Sequence, residues 1–96
     1  MLIKIKLKKF IEKNKKKEIL KKIEPVFCQV FDNKKLKINF KSSAKTINQW
    51  DSLAQINLVV GIERLLKIKF NVSELASLKN VGEMIDLILV KKNEKL

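Results

Sequence analysis

The sequence predicts an all-α fold, a four-helix bundle of three main helices plus a short third helix, with a long loop between helices 1 and 2. Ninety-six residues make one domain with a modest core and leave no room for a deep multidomain active site. Two Gly and one Pro are too few for the many tight turns of an all-β sandwich. Over most of the chain the apolar residues recur at three- and four-residue steps, the spacing of one helix face.

Residues 1–16 carry two patterns at once. Ile3, Ile5 and Leu7 alternate with Lys4, Lys6 and Lys8, which fits a strand, while Ile3, Leu7, Phe10 and Ile11 fit a helical stripe. The expectation is a helix or a frayed extension, so that 1–16 is a basic N-terminal extension, 17–92 the folded domain and 93–96 a tail. From about 17 to 31 the stripe Ile19, Leu20, Ile23, Val26, Phe27, Val30 and Phe31 predicts an amphipathic first helix. Pro25 lies inside it and predicts a kink there or a later start. Cys28 beside the stripe reads as a small buried hydrophobe.

Residues 32–51 form the long connection. Leu36, Ile38 and Phe40 alternate with polar residues but have no evident partner strand, so they are expected to dock on the helices from a loop. Loops this long in so small a domain tend to be functional. A second helix is expected over 52–67, capped by Asp51 or Ser52, with Ser52 and Gln55 at capping-box spacing. Leu58, Ile62, Leu65 and Leu66 would be its buried stripe. A short third helix is expected within Asn71–Ser77, starting at Ser73. The last helix, about 80–92, opens with Asn80 and Glu83 as a second capping-box pair and turns Val81, Met84, Ile85, Ile88 and Leu89 inward.

Composition narrows the function. The net charge is +12, and residues 1–41 hold 14 Lys against four acids, whereas 42–96 are nearly balanced. A basic half of this kind attracts nucleic acid or an anionic membrane. The excess is almost wholly Lys, with Ile and Asn also frequent, which equally fits codon bias in an AT-rich genome; phosphate or guanine readout would favour Arg. Cys28 is the only cysteine and His is absent, so no internal disulfide, no cysteine metal site and no histidine base is available. No catalytic or metal-ligating set is expected. No segment reaches the roughly 18 apolar residues of a membrane span. The Lys-punctuated N-terminus lacks the apolar core of a signal peptide, so the expected location is cytoplasmic.

The run Trp50-Asp51-Ser52-Leu53 places a hydroxyl at the first turn of a helix after a long loop. Unsatisfied N–H groups and the helix dipole suit a phosphate ester there, although a plain capping serine is the simpler reading of that tripeptide alone. Trp50 reads as a loop anchor packed on the bundle.

The surroundings carry more. The stretch "WDSLAQINLVVGIERLLKIKF" resembles the second helix of the acyl carrier protein family with the loop end that precedes it. "SELASLKNVGEMIDLI" resembles the family's third and fourth helices, and "EILKKIEPVFCQVF" matches its first helix more loosely. The likeness covers roughly residues 17–92 and is most specific over 50–90.

The resemblance implies a carrier rather than an enzyme. Ser52 would be the position to which a phosphopantetheinyl transferase attaches 4′-phosphopantetheine. Asp51 would cap the helix and help to place the transferase's metal and pyrophosphate, and Leu53 would lie beside the arm. An acyl or aminoacyl ligase or synthase, and acyltransferases, would be further partners of a monomeric chain, a stand-alone carrier of a specialised pathway in lipid, polyketide or peptide, or surface-polysaccharide biosynthesis. Fatty-acid carriers usually present an acidic second helix, whereas Ala54, Asn57 and Arg64 stand here where acids are expected. The partner-facing surface is therefore expected to be apolar around Leu53, Ile56 and Val60, with Arg64 and Lys67 facing acidic partner patches. The rival reading is a basic helical module that binds anionic membrane or nucleic acid through its Lys-rich half. The single Arg, the absence of Tyr and the lack of a recognition-helix motif speak against nucleic acid.

Overall fold

A computed structural model describes the backbone of residues 2–94 and the side chains of residues 12–92. Four helices follow in order: α1 (Leu2–Val30), α2 (Ser52–Leu66), α3 (Val72–Ala76) and α4 (Val81–Glu94). No strand occurs among the described residues.

α1 runs through residues 16 and 17 without a break, so the helical pattern of the first residues prevails over the alternating one. It also runs through Pro25 and does not begin after it. Proline deprives the carbonyl four residues earlier of its helical partner. Here both Pro25 and Lys21 are exposed, so water can satisfy that carbonyl and the helix continues.

The core joins three helices and two loops. Ile19, Ile23 and Phe27 of α1 and Phe31 just beyond it meet Leu58 and Ile62 of α2 and Val81, Met84, Ile85 and Ile88 of α4. Ile38 and Ile68 complete it from the connections. α1 packs on both α2 and α4. It comes close to α2 at Gly61, where an added Cβ would stand 2.7 Å from Val26 Cγ1. Two sequence expectations for α2 change. Leu65 is 49% exposed, because the last turn of α2 is covered only on the side of Leu66. Ala54 is buried and so cannot belong to an outward partner face.

The connection 31–51 is irregular but firmly tied. Ile38 is buried, and Leu36 and Phe40 pack against the core. The Ile38 N–H donates to Glu24 Oε2 of α1 at 3.1 Å. The carbonyls of Ser42 and Phe40 accept from the N–H groups of Val81 (2.9 Å) and Gly82 (2.8 Å). A loop thereby satisfies two donors that the start of α4 would otherwise leave orphaned. A Cβ at position 82 would sit 2.9 Å from the Phe40 oxygen, which is why glycine stands there. The Asn80 carbonyl oxygen of the side chain accepts a third donor, the Glu83 N–H, at 2.8 Å. The Glu83 carboxylate reaches back one residue further than a capping box requires, to the Lys79 N–H.

Candidate functional site

Asp51 is the residue that caps α2. Its backbone is extended and its Oδ1 accepts from the Ala54 N–H at 2.9 Å. Ser52 is therefore the first residue inside the helix, and the Ser52–Gln55 capping box does not form. Gln55 is committed elsewhere, since its Oε1 accepts from the Trp50 indole N–H at 2.7 Å. Trp50 in turn is half-buried, edge-on to Phe27 at 5.4 Å between ring centroids and 6.4 Å from Phe31. It is the loop anchor that its position suggests.

This arrangement leaves Ser52 outside. Its side chain is exposed, and its hydroxyl makes no hydrogen bond among the described residues. The Ala54 N–H is taken by Asp51, while the N–H groups of Ser52 and Leu53 have no partner among those residues. A free hydroxyl thus stands beside two free donors at the positive end of a 15-residue helix. An open groove of about 570 Å³ is lined by Ser52 together with Trp50, Ile56, Val72, Leu75 and Met84.

The outward face of α2 is apolar near its start and cationic near its end. Leu53 is 67% exposed, Ile56 59% and Val60 39%. Arg64 and Lys67 are exposed too. Lys67 closes the helix in the left-handed conformation, φ 57°, with its N–H on the Glu63 carbonyl. The Glu63 carboxylate accepts from the Phe70 N–H at 2.9 Å, so this acid secures the turn after the helix. Val72, at 84%, was not legible as a surface residue from the sequence. The signal was its place in a helix of only five residues, which buries none of them.

α3 is held by its ends. The Glu74 carboxylate accepts from the Asn71 N–H at 2.8 Å and pairs with Lys91 of α4, also at 2.8 Å. The Lys91 ammonium, and then the Asn71 N–H, hold the Glu74 carboxyl below its ordinary value of 4.5. Cys28 is half-buried and its Sγ donates to the Leu36 carbonyl oxygen at 3.3 Å. No group of three or more His, Cys, Asp or Glu among the described residues is placed to hold a metal ion.

Fold and site together define a class: a small helical domain that presents one serine at a helix start, beside a groove and an exposed apolar face. No family model and no curated protein matches the sequence at a significant level. Among solved structures, the chain is similar to the solution NMR structure of the holo acyl carrier protein from Geobacter metallireducens. The two share 43% identity with a TM-score of 0.73, over 79% of this chain and 87% of that one. The chain belongs to the acyl carrier protein family. It is a carrier and not an enzyme.

Proposed function

We propose that Ser52 carries 4′-phosphopantetheine and that the chain thereby holds acyl or aminoacyl groups for delivery to partner enzymes. The observation that carries this reading is the exposed, unbonded Ser52 hydroxyl at the first turn of α2. The residues present fit the group. Asp51 takes one helical donor and leaves those of Ser52 and Leu53 for a phosphodiester, which the helix dipole favours. Once bound, the group supplies a thiol that holds cargo as a thioester.

The chain's own residues then have separate tasks. Ser52 supplies the oxygen of the phosphodiester link. Asp51 fixes the turn that presents it, and Trp50 with Gln55 pins the approaching loop to α1. Tethering raises the effective concentration of cargo at each partner without new contacts. Leu53, Ile56 and Val60 give partners a small apolar footing, suited to encounters that must end quickly. Arg64 and Lys67 beside it favour partners with acidic patches. In this reading those partners are a phosphopantetheinyl transferase, an acyl or aminoacyl ligase or synthase, and acyltransferases, meeting a monomer in the cytoplasm. The pathways that fit are lipid, polyketide or peptide, and surface-polysaccharide biosynthesis.

Intact-mass measurement after co-expression with a phosphopantetheinyl transferase tests the proposal. The expected result is a gain of one phosphopantetheine on the parent and none on Ser52→Ala. A modified Ser52→Ala protein would place the attachment elsewhere and overturn the assignment.

A further inference from the structure

α1 begins at Leu2, about 25 Å at 1.5 Å per residue before Ile19, the first buried residue among those whose side chains are described. Lys16 shows which side of this leading part faces the bundle, because its ammonium meets Asp86 of α4 at 3.0 Å. Ile19, Ile23 and Phe27 continue that side into the core.

By backbone register alone, the apolar positions at the start of α1 fall elsewhere. Positions 3, 7, 10 and 11, occupied by Ile, Leu, Phe and Ile, share an arc of about 100° at 100° per residue. The middle of that arc is roughly 165° round the helix from Lys16 and roughly 180° from the core stripe. On the same register positions 2, 5 and 9, occupied by Leu, Ile and Lys, fall near the core stripe, so the start of α1 carries a second apolar stripe, on the side opposite the bundle, in addition to apolar positions on the bundle side.

Lysines border this arc on both sides. Positions 6, 13 and 17 follow one edge and positions 4, 8 and 15 the other, and Lys13, Lys15 and Lys17 are exposed. Asn14 and Glu18 end the arc, confining it to the first three turns. An apolar strip with cationic borders is the layout of a helix lying in the surface of an anionic bilayer, where lysine stems cover apolar surface and their heads meet lipid phosphates.

We infer that the first three turns of α1 dock this protein reversibly on anionic lipid surfaces. The inference is independent of the assignment of Ser52. A second copy of the chain suits the strip less well, since two such faces would bring their lysine borders together. Nucleic acid suits it less well because the borders hold Lys without Arg, and stacking on bases would need aromatic residues beyond Phe10. The geometry also leaves the carrier site free. Ser52 follows Trp50, which packs on Phe27 and Phe31 at the other end of α1, about 30 Å or more from position 7.

Co-sedimentation of the full chain with vesicles tests the inference, comparing phosphatidylcholine containing about a third phosphatidylglycerol with phosphatidylcholine alone. The expected result is binding to the anionic vesicles only, weakened at least about tenfold in Leu7→Glu/Phe10→Glu and again in Lys6→Gln/Lys8→Gln/Lys13→Gln/Lys15→Gln. Circular dichroism melts that match the parent show that each variant is folded, and transferase modification reports on the Ser52 end independently. Absence of binding by the parent overturns the inference. So does undiminished binding by the Leu7→Glu/Phe10→Glu variant, which would assign the attraction to diffuse charge. Displacement of the parent from anionic vesicles by stoichiometric single-stranded RNA would overturn it in favour of nucleic acid.

Discussion

Asp51 and Gln55 decide what Ser52 is free to do. A serine at a helix start usually spends its oxygen on the helix, accepting from the N–H three residues on. Here Asp51, one position earlier, takes that role, and Gln55 is drawn to the Trp50 indole. Two neighbours thus perform the local work that the Ser52–Gln55 spacing suggests for Ser52. The competition was invisible in the sequence, because Asp51 and Ser52 are equally good caps by residue type. Asp51→Ala should cost about 1 kcal/mol of stability in denaturant unfolding, the ordinary worth of a cap. The same variant should be modified more slowly by the transferase, since Ser52 is then free to turn inward as the cap. Unchanged modification with the expected loss of stability would show that Asp51 matters to the fold alone.

The elements were legible wherever a stripe of side chains was buried on both sides of its register. α2 and α4 appear within two residues of their expected limits, and the inward faces of α1 and α4 hold the expected residues. Leu65 departed because its arc was right but nothing covers that side of the last turn. The caps that the loop carbonyls of Phe40 and Ser42 give to α4 were beyond reach, since backbone groups leave no trace in residue type. Gly82 was the one hint. At Gly61 the reason for glycine is a side chain, Val26, whose branched carbon cannot rotate far out of the way. Gly61→Ala gains helix propensity of about 1 kcal/mol but meets Val26, and overpacking of this kind typically costs about 1–3 kcal/mol. Gly61→Ala should therefore be neutral to destabilising in the parent and stabilising in a Val26→Ala background; equal effects in both would place the close contact elsewhere. α3 depends on a different kind of tie. The lowered Glu74 pKa means that the folded form holds the ionised carboxylate more firmly than the unfolded chain does, with Lys91 as the chief cause. That contribution is complete above the ordinary value of 4.5 and disappears as pH falls through the folded value below it. Amide exchange in residues 72–76 should accelerate over that acid range relative to α2, and Glu74→Gln should exchange fast at neutral pH with little further change on acidification.

Across the whole molecule, charge and site geometry point the same way. The positive excess lies in the first half of the chain. The acids on and beside α2 are absorbed by structure, Asp51 as its cap and Glu63 as the acceptor for Phe70. Arg64 and Lys67 remain on the surface beside Leu53, Ile56 and Val60. A partner approaching Ser52 along α2 therefore meets an apolar patch and then two cations, the reverse of an acidic recognition helix. Such charges act mainly on association rate and fade with salt. Arg64→Glu/Lys67→Glu should lower kcat/KM for loading by the native partner about threefold to tenfold at low ionic strength, within the range of electrostatic steering. The parent's rate should fall with added salt and the variant's should not. Arg64 stands in the last turn of α2, where a cation favours the helix end, so the reversal should also cost about 0.3–1 kcal/mol, too little to unfold the domain. Thermal melts separate that small loss from the kinetic effect. Faster loading of the double variant would mean that the native partner is itself basic and reads the remaining acids, and the cationic end of α2 would then have no part in recognition.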